Sequence, residues 1–317
     1  MFHRSLGVAV GCLAMFALAG LSRADEPVLL KYKLAKGSTL IYKSAHETKQ
    51  TQTINGMKIE NSVVQDTVTT RNVEDVDEKG TATVKTKTVE RKVKAEFGQA
   101  GKYEFDSKST ERDTSSMIGA SVTPLLERLT GSEFEVQVNP RGEIVAVKGD
   151  AELVADLLKD NPLGAQFTGG GGDAGAKLAE QESFMVLSEK PVRPGDQWER
   201  TFEMDLPAVG KAKGKVVCVF EGHDKVGERK TARIGVTTDL TIDLKIEAGG
   251  AKVTGTISTI RSAGTAQFDP EAGRLVSSKN DISMSGQLSV EAGGMTFTID
   301  NQQEQKTSSE LLDKLPD

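Results

Sequence analysis

Residues 232–247 read ARIGVTTDLTIDLKIE, and their alternation decides the fold class. Ile234, Val236, Thr238, Leu240, Ile242, Leu244 and Ile246 take every second position. Arg233, Gly235, Thr237, Asp239, Thr241, Asp243, Lys245 and Glu247 stand between them. A period of two places the first set on one face of a β-strand and the second on the other. One dry face and one wet face mark an antiparallel sheet buried on a single side.

The pattern extends in both directions. Downstream, Glu247-Ala248-Gly249-Gly250, Asp269-Pro270-Glu271-Ala272-Gly273 and Glu291-Ala292-Gly293-Gly294 are turns that separate strands at 252–268, 275–290 and 295–300. Upstream, 216–220 is a short apolar strand, and Trp198, Phe202, Met204 and Leu206 fall on even positions against Glu199, Thr201, Glu203 and Asp205. Near the start, 28–34 reads as a strand with Leu30, Tyr32 and Leu34 on one side. Lys36-Gly37-Ser38 turns the chain into a second strand at 39–53. Asn55-Gly56 is a two-residue hairpin signal because the favoured turn needs positive φ at both positions. Met57, Ile59 and Val63 alternate away from it. After Glu78-Lys79-Gly80, a strand at 81–97 changes apolar phase from Ala82 and Val84 to Val89, Val93, Ala95 and Phe97, which predicts a bulge near Thr88.

The middle of the chain has a different period. Val122, Leu125, Leu126 and Leu129 have helical spacing over 121–129, with Pro124 in the first turn. A hairpin pairs 134–138 with 143–147 about Asn139-Pro140-Arg141-Gly142. Asp150 caps a short helix at 151–159, Gly169-Gly170-Gly171-Gly172 lies in a loop at 168–175, and 176–188 is a further helix.

The two flanks echo each other. Val73-Glu74-Asp75-Val76-Asp77-Glu78-Lys79-Gly80 before Thr81-Ala82 is matched by Phe220-Glu221-Gly222-His223-Asp224-Lys225-Val226-Gly227 before Thr231-Ala232. Lys36-Gly37-Ser38 with Tyr42 is matched by Pro194-Gly195-Asp196 with Trp198. Two similar β-meander halves, 25–115 and 190–306, around an insertion at 116–189 are one account of this. Reuse of the same turn residues by unrelated meanders is the other.

Leu30-Lys31-Tyr32-Lys33 with Lys36-Gly37, the 134–149 hairpin, and Pro191-Val192-Arg193-Pro194-Gly195-Asp196-Gln197-Trp198 resemble the landmarks of a family of uncharacterised exported bacterial proteins. The resemblance covers most of the chain after residue 24 and supplies no site residues. The layout is also similar in shape to periplasmic lipoprotein carriers, in which a curved antiparallel sheet closes over helices.

Residues 1–24 resemble a signal peptide: Arg4 precedes an apolar run from Leu6 to Leu21, and Ser22-Arg23-Ala24 places small residues for cleavage between Ala24 and Asp25. Cleavage leaves 293 of the 317 residues, expected to form a single β-rich domain, 25–317, with a periplasmic or extracellular address. Arg4 and Arg23 leave with the leader, so the balance of 40 Lys+Arg against 46 Asp+Glu moves from −6 to −8. An acidic chain with dispersed lysines is no footprint for nucleic acid. Nothing after the leader is long and apolar enough for a transmembrane helix. Cys12 also leaves, so Cys218 has no intramolecular partner. Its setting in Val216-Val217-Cys218-Val219-Phe220 predicts a buried, inert thiol.

Chemistry-bearing motifs are sparse. His46 and His223 are far apart and in no metal-ligand spacing, and both are expected at the solvated surface. The Gly169–Gly172 run lacks the Lys and Ser/Thr of a phosphate loop. Asp75-Val76-Asp77-Glu78-Lys79-Gly80 fails as a calcium loop because Lys79 occupies a ligand position. Asp239 and Asp243 share the wet face, where cross-strand pairing accounts for them. Trp198, Phe202 and Met204 could line an apolar ligand site, although a lone tryptophan on a clean apolar face is more often a core anchor.

The reading is therefore a mainly β (α+β) protein: a long-stranded, curved antiparallel sheet or incomplete barrel with a central helical insertion. Two functions follow, both without enzymatic activity, cofactor or metal. One is burial of an apolar small molecule or lipid under the sheet. The other is a structural or assembly role with protein partners of the cell envelope and no small ligand.

Overall fold

The computed structural model describes residues 26–149, 184–206, 209–248 and 250–316. The expected leader with its expected cleavage between Ala24 and Asp25, the expected helix at 151–159, the Gly-rich stretch at 168–175 and residues 176–183 lie outside them.

Twelve strands and one α-helix are described: β1 (Thr39–Ile54), β2 (Met57–Val76), β3 (Ala82–Phe97), β4 (Gly101–Asp106), α1 (Met117–Leu129), β5 (Glu133–Val138), β6 (Ile144–Gly149), β7 (Gln197–Leu206), β8 (Gly210–Val226), β9 (Arg229–Ala248), β10 (Ala251–Asp269), β11 (Arg274–Ala292) and β12 (Met295–Leu312). They form one antiparallel sheet in the order β6-β5-β3-β2-β1-β12-β11-β10-β9-β8-β7. β4 and β5 share the outer edge of β3 end to end, β4 against 92–97 and β5 against 82–87. β6 and β7 are the two edges, so the sheet does not close into a barrel.

The turns are where the residues demand them. Asn55 and Gly56 both have positive φ (51° and 81°), as the tight β1–β2 hairpin requires. In β3, Val68 of β2 faces Glu90 and Thr69 faces Thr88, so Val89 is the extra residue of a bulge. Burial moves from Ala82, Val84 and Thr88 to Arg91, Val93, Ala95 and Phe97 across it. Without that extra residue the second half of the strand would point its apolar set at water.

Several elements differ from expectation. The strand expected at 28–34 has one isolated bridge, Val28 to Val192, and no ladder. The short strand expected at 216–220 is the middle of the 17-residue β8, and the strand expected at 295–300 continues to Leu312. Inward Gly210, Ala212 and Gly214 in β8, and inward Asn301, Gln303, Gln305, Thr307 and Ser309 in β12, erased the apolar alternation that marks a strand. Residues 184–188, expected to end a helix, are irregular. α1 begins earlier than its apolar spacing indicates, because Ser116 caps it by accepting the Gly119 N–H at 2.9 Å. Pro124 is consequently in the helix interior rather than its first turn.

The main core shows how the sheet curls. Val84 of β3 and Val136 of β5 share one buried cluster with Cys218 and Phe220 of β8 and Ile234 of β9, strands far apart in the sheet order. Only a strongly curved sheet brings them together. Residues 28–34 cross this near end as a strap. Tyr32 N–H donates to Pro140 O at 2.7 Å, and Lys33 N–H to Gly273 O at 2.9 Å. Leu30 and Tyr32 enter the core beneath it with Phe184, Leu187 and Phe268. A Cβ on Gly273 would overlap the strap at Lys33, so the chain must have glycine there.

One local structure occurs twice. Gly37 N–H donates to Val73 O while Val73 N–H donates to Ser38 O; Gly195 N–H donates to Phe220 O while Phe220 N–H donates to Asp196 O. A register shift follows each anchor, at Glu74 in β2 and Glu221 in β8. Counted from the turn glycine, Leu40 and not Tyr42 stands where Trp198 does.

Candidate functional site

Ladder register assigns every strand residue to a face, since directly opposed residues of antiparallel strands point the same way. The inner, concave face has three zones. At the near end is the main core under the strap. Over β2–β4, Val63, Val93, Phe97, Tyr103 and Phe105 are capped by Ile118, Val122 and Leu126 of α1, with Tyr103 Oη and Thr123 Oγ1 sharing a hydrogen bond of 2.9 Å. On the far half of β7–β12, Ile257, Met284 and Leu288 are buried. Leu240, Ile242, Leu244, Val253, Ile282 and Ile299 around them are only half-buried among the described residues.

Trp198, Phe202 and Met204 all point inward from edge strand β7, but they do not converge. Trp198 packs on the main core and its indole N–H donates to Val186 O at 2.8 Å, the arrangement of a core anchor. Phe202 lies over Gly214 of β8. Met204 joins the far apolar zone beside Leu206, Ala212, Leu240 and Ile242. Trp198 and Met204 are six residues apart on one strand, about 20 Å.

Between the apolar zones runs a polar belt. Gln65 of β2 opposes His46 of β1, which opposes Thr307 of β12, which opposes Asn280 of β11. The neighbouring rows add Thr67, Ser44, Ser309 and Ser278 on one side, and Gln50, Gln303 and Asn301 further along. Gln50 Nε2 donates to Asn301 Oδ1 at 2.8 Å, while Asn301 Nδ2 and Asn280 Oδ1 are buried with no hydrogen-bond partner among the described residues. His46 is thus a half-buried belt residue rather than a surface one. Its Nε2 is 2.9 Å from Thr48 Oγ1, and burial pulls its pKa down. His223 is exposed, beside the Phe220 ring.

Charge on this face has one sign. The inward positions of the described strands hold Arg71 (β2), Arg91 (β3) and Arg200 (β7), with the exposed Lys225 (β8) and Lys230 (β9) at the hairpin end, and no Asp or Glu. Arg71 is 6 % exposed and stacks on Tyr42 (4.3 Å) and Phe184 (4.8 Å). Arg91 is 8 % exposed, and its Nη1 donates to Gln65 Oε1 at 2.8 Å. Burial pulls the Arg91 guanidinium down to about 10, with no acidic neighbour among the described residues acting against it. The belt has no motif in the sequence: it is a set of polar residues at inward positions of strands that pair far apart along the chain. Arg91 alone left a trace, being in phase with Val93, Ala95 and Phe97.

The outer face behaves as cross-strand pairing predicts. Lys85 bridges Glu74 and Glu133, Lys215 pairs with Glu199, Arg233 with Glu221, and Thr256 donates its hydroxyl to Asp243 at 2.9 Å. Asp77 Oδ1 accepts the N–H groups of Lys79 and Thr81, which makes the false calcium loop a plain turn. Among the described residues no helix is long and apolar enough to cross a membrane.

These features define an open, strongly curved, one-sided antiparallel β-sheet protein. Residues 79–311 match the model of a family of unknown function (DUF6263), and the chain belongs to that family. No curated protein matches it. Among solved structures, lipovitellin, described by its lipid–protein interactions, is similar at 9 % identity and a TM-score of 0.43, over 89 % of this chain. The chain spans about a quarter (26 %) of the lipovitellin chain. DynF from the dynemicin biosynthesis pathway of Micromonospora chersina is similar at 10 % identity and 0.18, covering 89 % of this chain and 85 % of that one. The β domain of the Bordetella autotransporter BrkA is similar at 9 % and 0.23, covering 86 % and 100 %. All three scores are below 0.5, and no functional argument rests on them.

Proposed function

We propose that this is an exported, non-enzymatic binding protein that buries an apolar small molecule or lipid against the concave face of its sheet. The observation that carries the reading is the far apolar zone, where Leu240, Ile242, Leu244, Val253, Ile282 and Ile299 are packed side by side yet half-buried among the described residues. Each CH₂ of a ligand laid on that zone contributes about 0.8 kcal/mol. The leader at residues 1–24 supports export. Inward positions of the described strands without a carboxylate, the desolvated His46 and the buried Cys218 thiol support a role without catalysis. An assembly role through the sheet edges has less support, because edge strand β7 turns Glu199, Glu203 and Asp205 outward, charges that discourage strand addition.

The test is mass spectrometry of an organic extract from protein purified without detergent, followed by titration with an uncharged, environment-sensitive apolar dye. A lipid or other apolar molecule at near-stoichiometric yield, or saturable dye binding, is expected. An empty extract from folded protein that also fails to bind the dye overturns the reading.

A further inference from the structure

The buried guanidinium of Arg91 has no opposing charge among the described residues. An arginine keeps its charge throughout the physiological pH range, and removing that charge from water is unfavourable without an opposing charge. Here the side chain's hydrogen-bond partner is the neutral Gln65, its Nε has no partner among the described residues, and its backbone N–H is already taken by Ser107 Oγ at 2.9 Å. Across the sheet from it run hydroxyls, Thr67, Ser44, Ser309 and Ser278, and no carboxylate. Two further buried polar atoms of the belt, Asn280 Oδ1 and Asn301 Nδ2, are also without partners among the described residues. The belt in turn adjoins the far apolar zone through Ile282 and Met284 of β11, four inter-strand steps of about 4.8 Å from β3.

We propose, resting on the carrier reading above, that the ligand is an anionic amphiphile, with Arg91 receiving its headgroup and the far apolar zone its chain. A carboxylate or phosphate supplies the counter-charge that no described residue provides and accepts from the guanidinium fork, which a neutral headgroup cannot do as well. The hydroxyls and amides of the belt complete the polar surroundings.

The experiment is displacement of the uncharged dye from the purified, delipidated protein by hexadecanoate, hexadecyl phosphate and hexadecanol, which share one chain length. Expected is displacement by at least one anion at a concentration about tenfold or more below that of the alcohol. The stronger of the two distinguishes a carboxylate from a phosphate source. Arg91→Gln should bring anion and alcohol within about threefold of each other, and Arg91→Lys should recover part of the preference. Equal displacement by all three in the wild type overturns the headgroup assignment and leaves the apolar-ligand reading intact. An anion preference that persists in folded Arg91→Gln overturns the role of Arg91. An empty extract together with failure of the dye to bind overturns the carrier reading, and this inference with it; a loaded extract whose lipid carries a neutral headgroup overturns the headgroup assignment alone. The wild-type comparison needs no variant, so a misfolded Arg91→Gln leaves the headgroup assignment open to refutation.

Discussion

Cys218 shows what burial does to a single group. Enclosed by the main core, its thiol is pushed up to about 12, whereas an unfolded chain's thiol titrates near 8.5. Between roughly pH 9 and 12 the unfolded state therefore binds fewer protons than the folded state, and stability falls as pH rises. A Cys218→Ala variant lacks this dependence. Urea unfolding of both proteins from pH 9 to 11 should show the wild type losing on the order of 2 kcal/mol more than the variant. Parallel curves would contradict the assignment. The buried Tyr32 and Tyr42 are raised in the same direction and are common to both proteins. The burial of Cys218 was legible from its apolar neighbours in the chain. The burial of His46 was not, because Ser44, His46, Thr48 and Gln50 look like any solvated strand until β12 is paired beside them.

α1 is the element whose sequence and structure disagree most usefully. Its apolar spacing was readable, and so was the face it buries, Val122, Leu125, Leu126 and Leu129. Its start was not, because the cap at Ser116 precedes the apolar run and a neighbouring Asp113 side chain holds the Ser115 and Ser116 N–H groups. The earlier start puts the exposed Pro124 in the helix interior, where it removes one i→i−4 hydrogen bond and strains the preceding turn. Pro124→Ala should raise stability by about 1–2 kcal/mol, less the entropy that proline removes from the unfolded chain. An upward shift in urea midpoint checks it; an unchanged or lower midpoint would mean the neighbouring Thr123–Asp113 bond already absorbs the strain. The bulge at Val89 is the opposite case. Its cause, a change of apolar phase, was written in one segment and could be located to within a residue.

For the whole molecule, the decisive contact is the strap across the near end. Gly37 and Gly273 both have positive φ, 80° and 65°, so an alanine at either costs about 1 kcal/mol in backbone conformation. A Cβ on Gly37 meets open space, whereas on Gly273 it runs into Lys33 and must displace the strap. Gly273→Ala should therefore be the more destabilising by roughly 2 kcal/mol in a two-state urea experiment, with a larger m-value difference if the near end opens. Equal costs would show that the strap gives way freely. The sequence by itself determined that this is a one-sided antiparallel sheet, where most of its turns fall and which face of each alternating strand is dry, because those depend on neighbours along the chain. Only the tertiary structure decided that residues 28–34 leave the sheet to close one end, that the far apolar zone is left half-buried, and that Arg91 shares a polar belt with Gln65, His46 and Asn280. Those are consequences of register between strands separated by up to more than two hundred residues, and no local pattern encodes which distant strand will stand alongside.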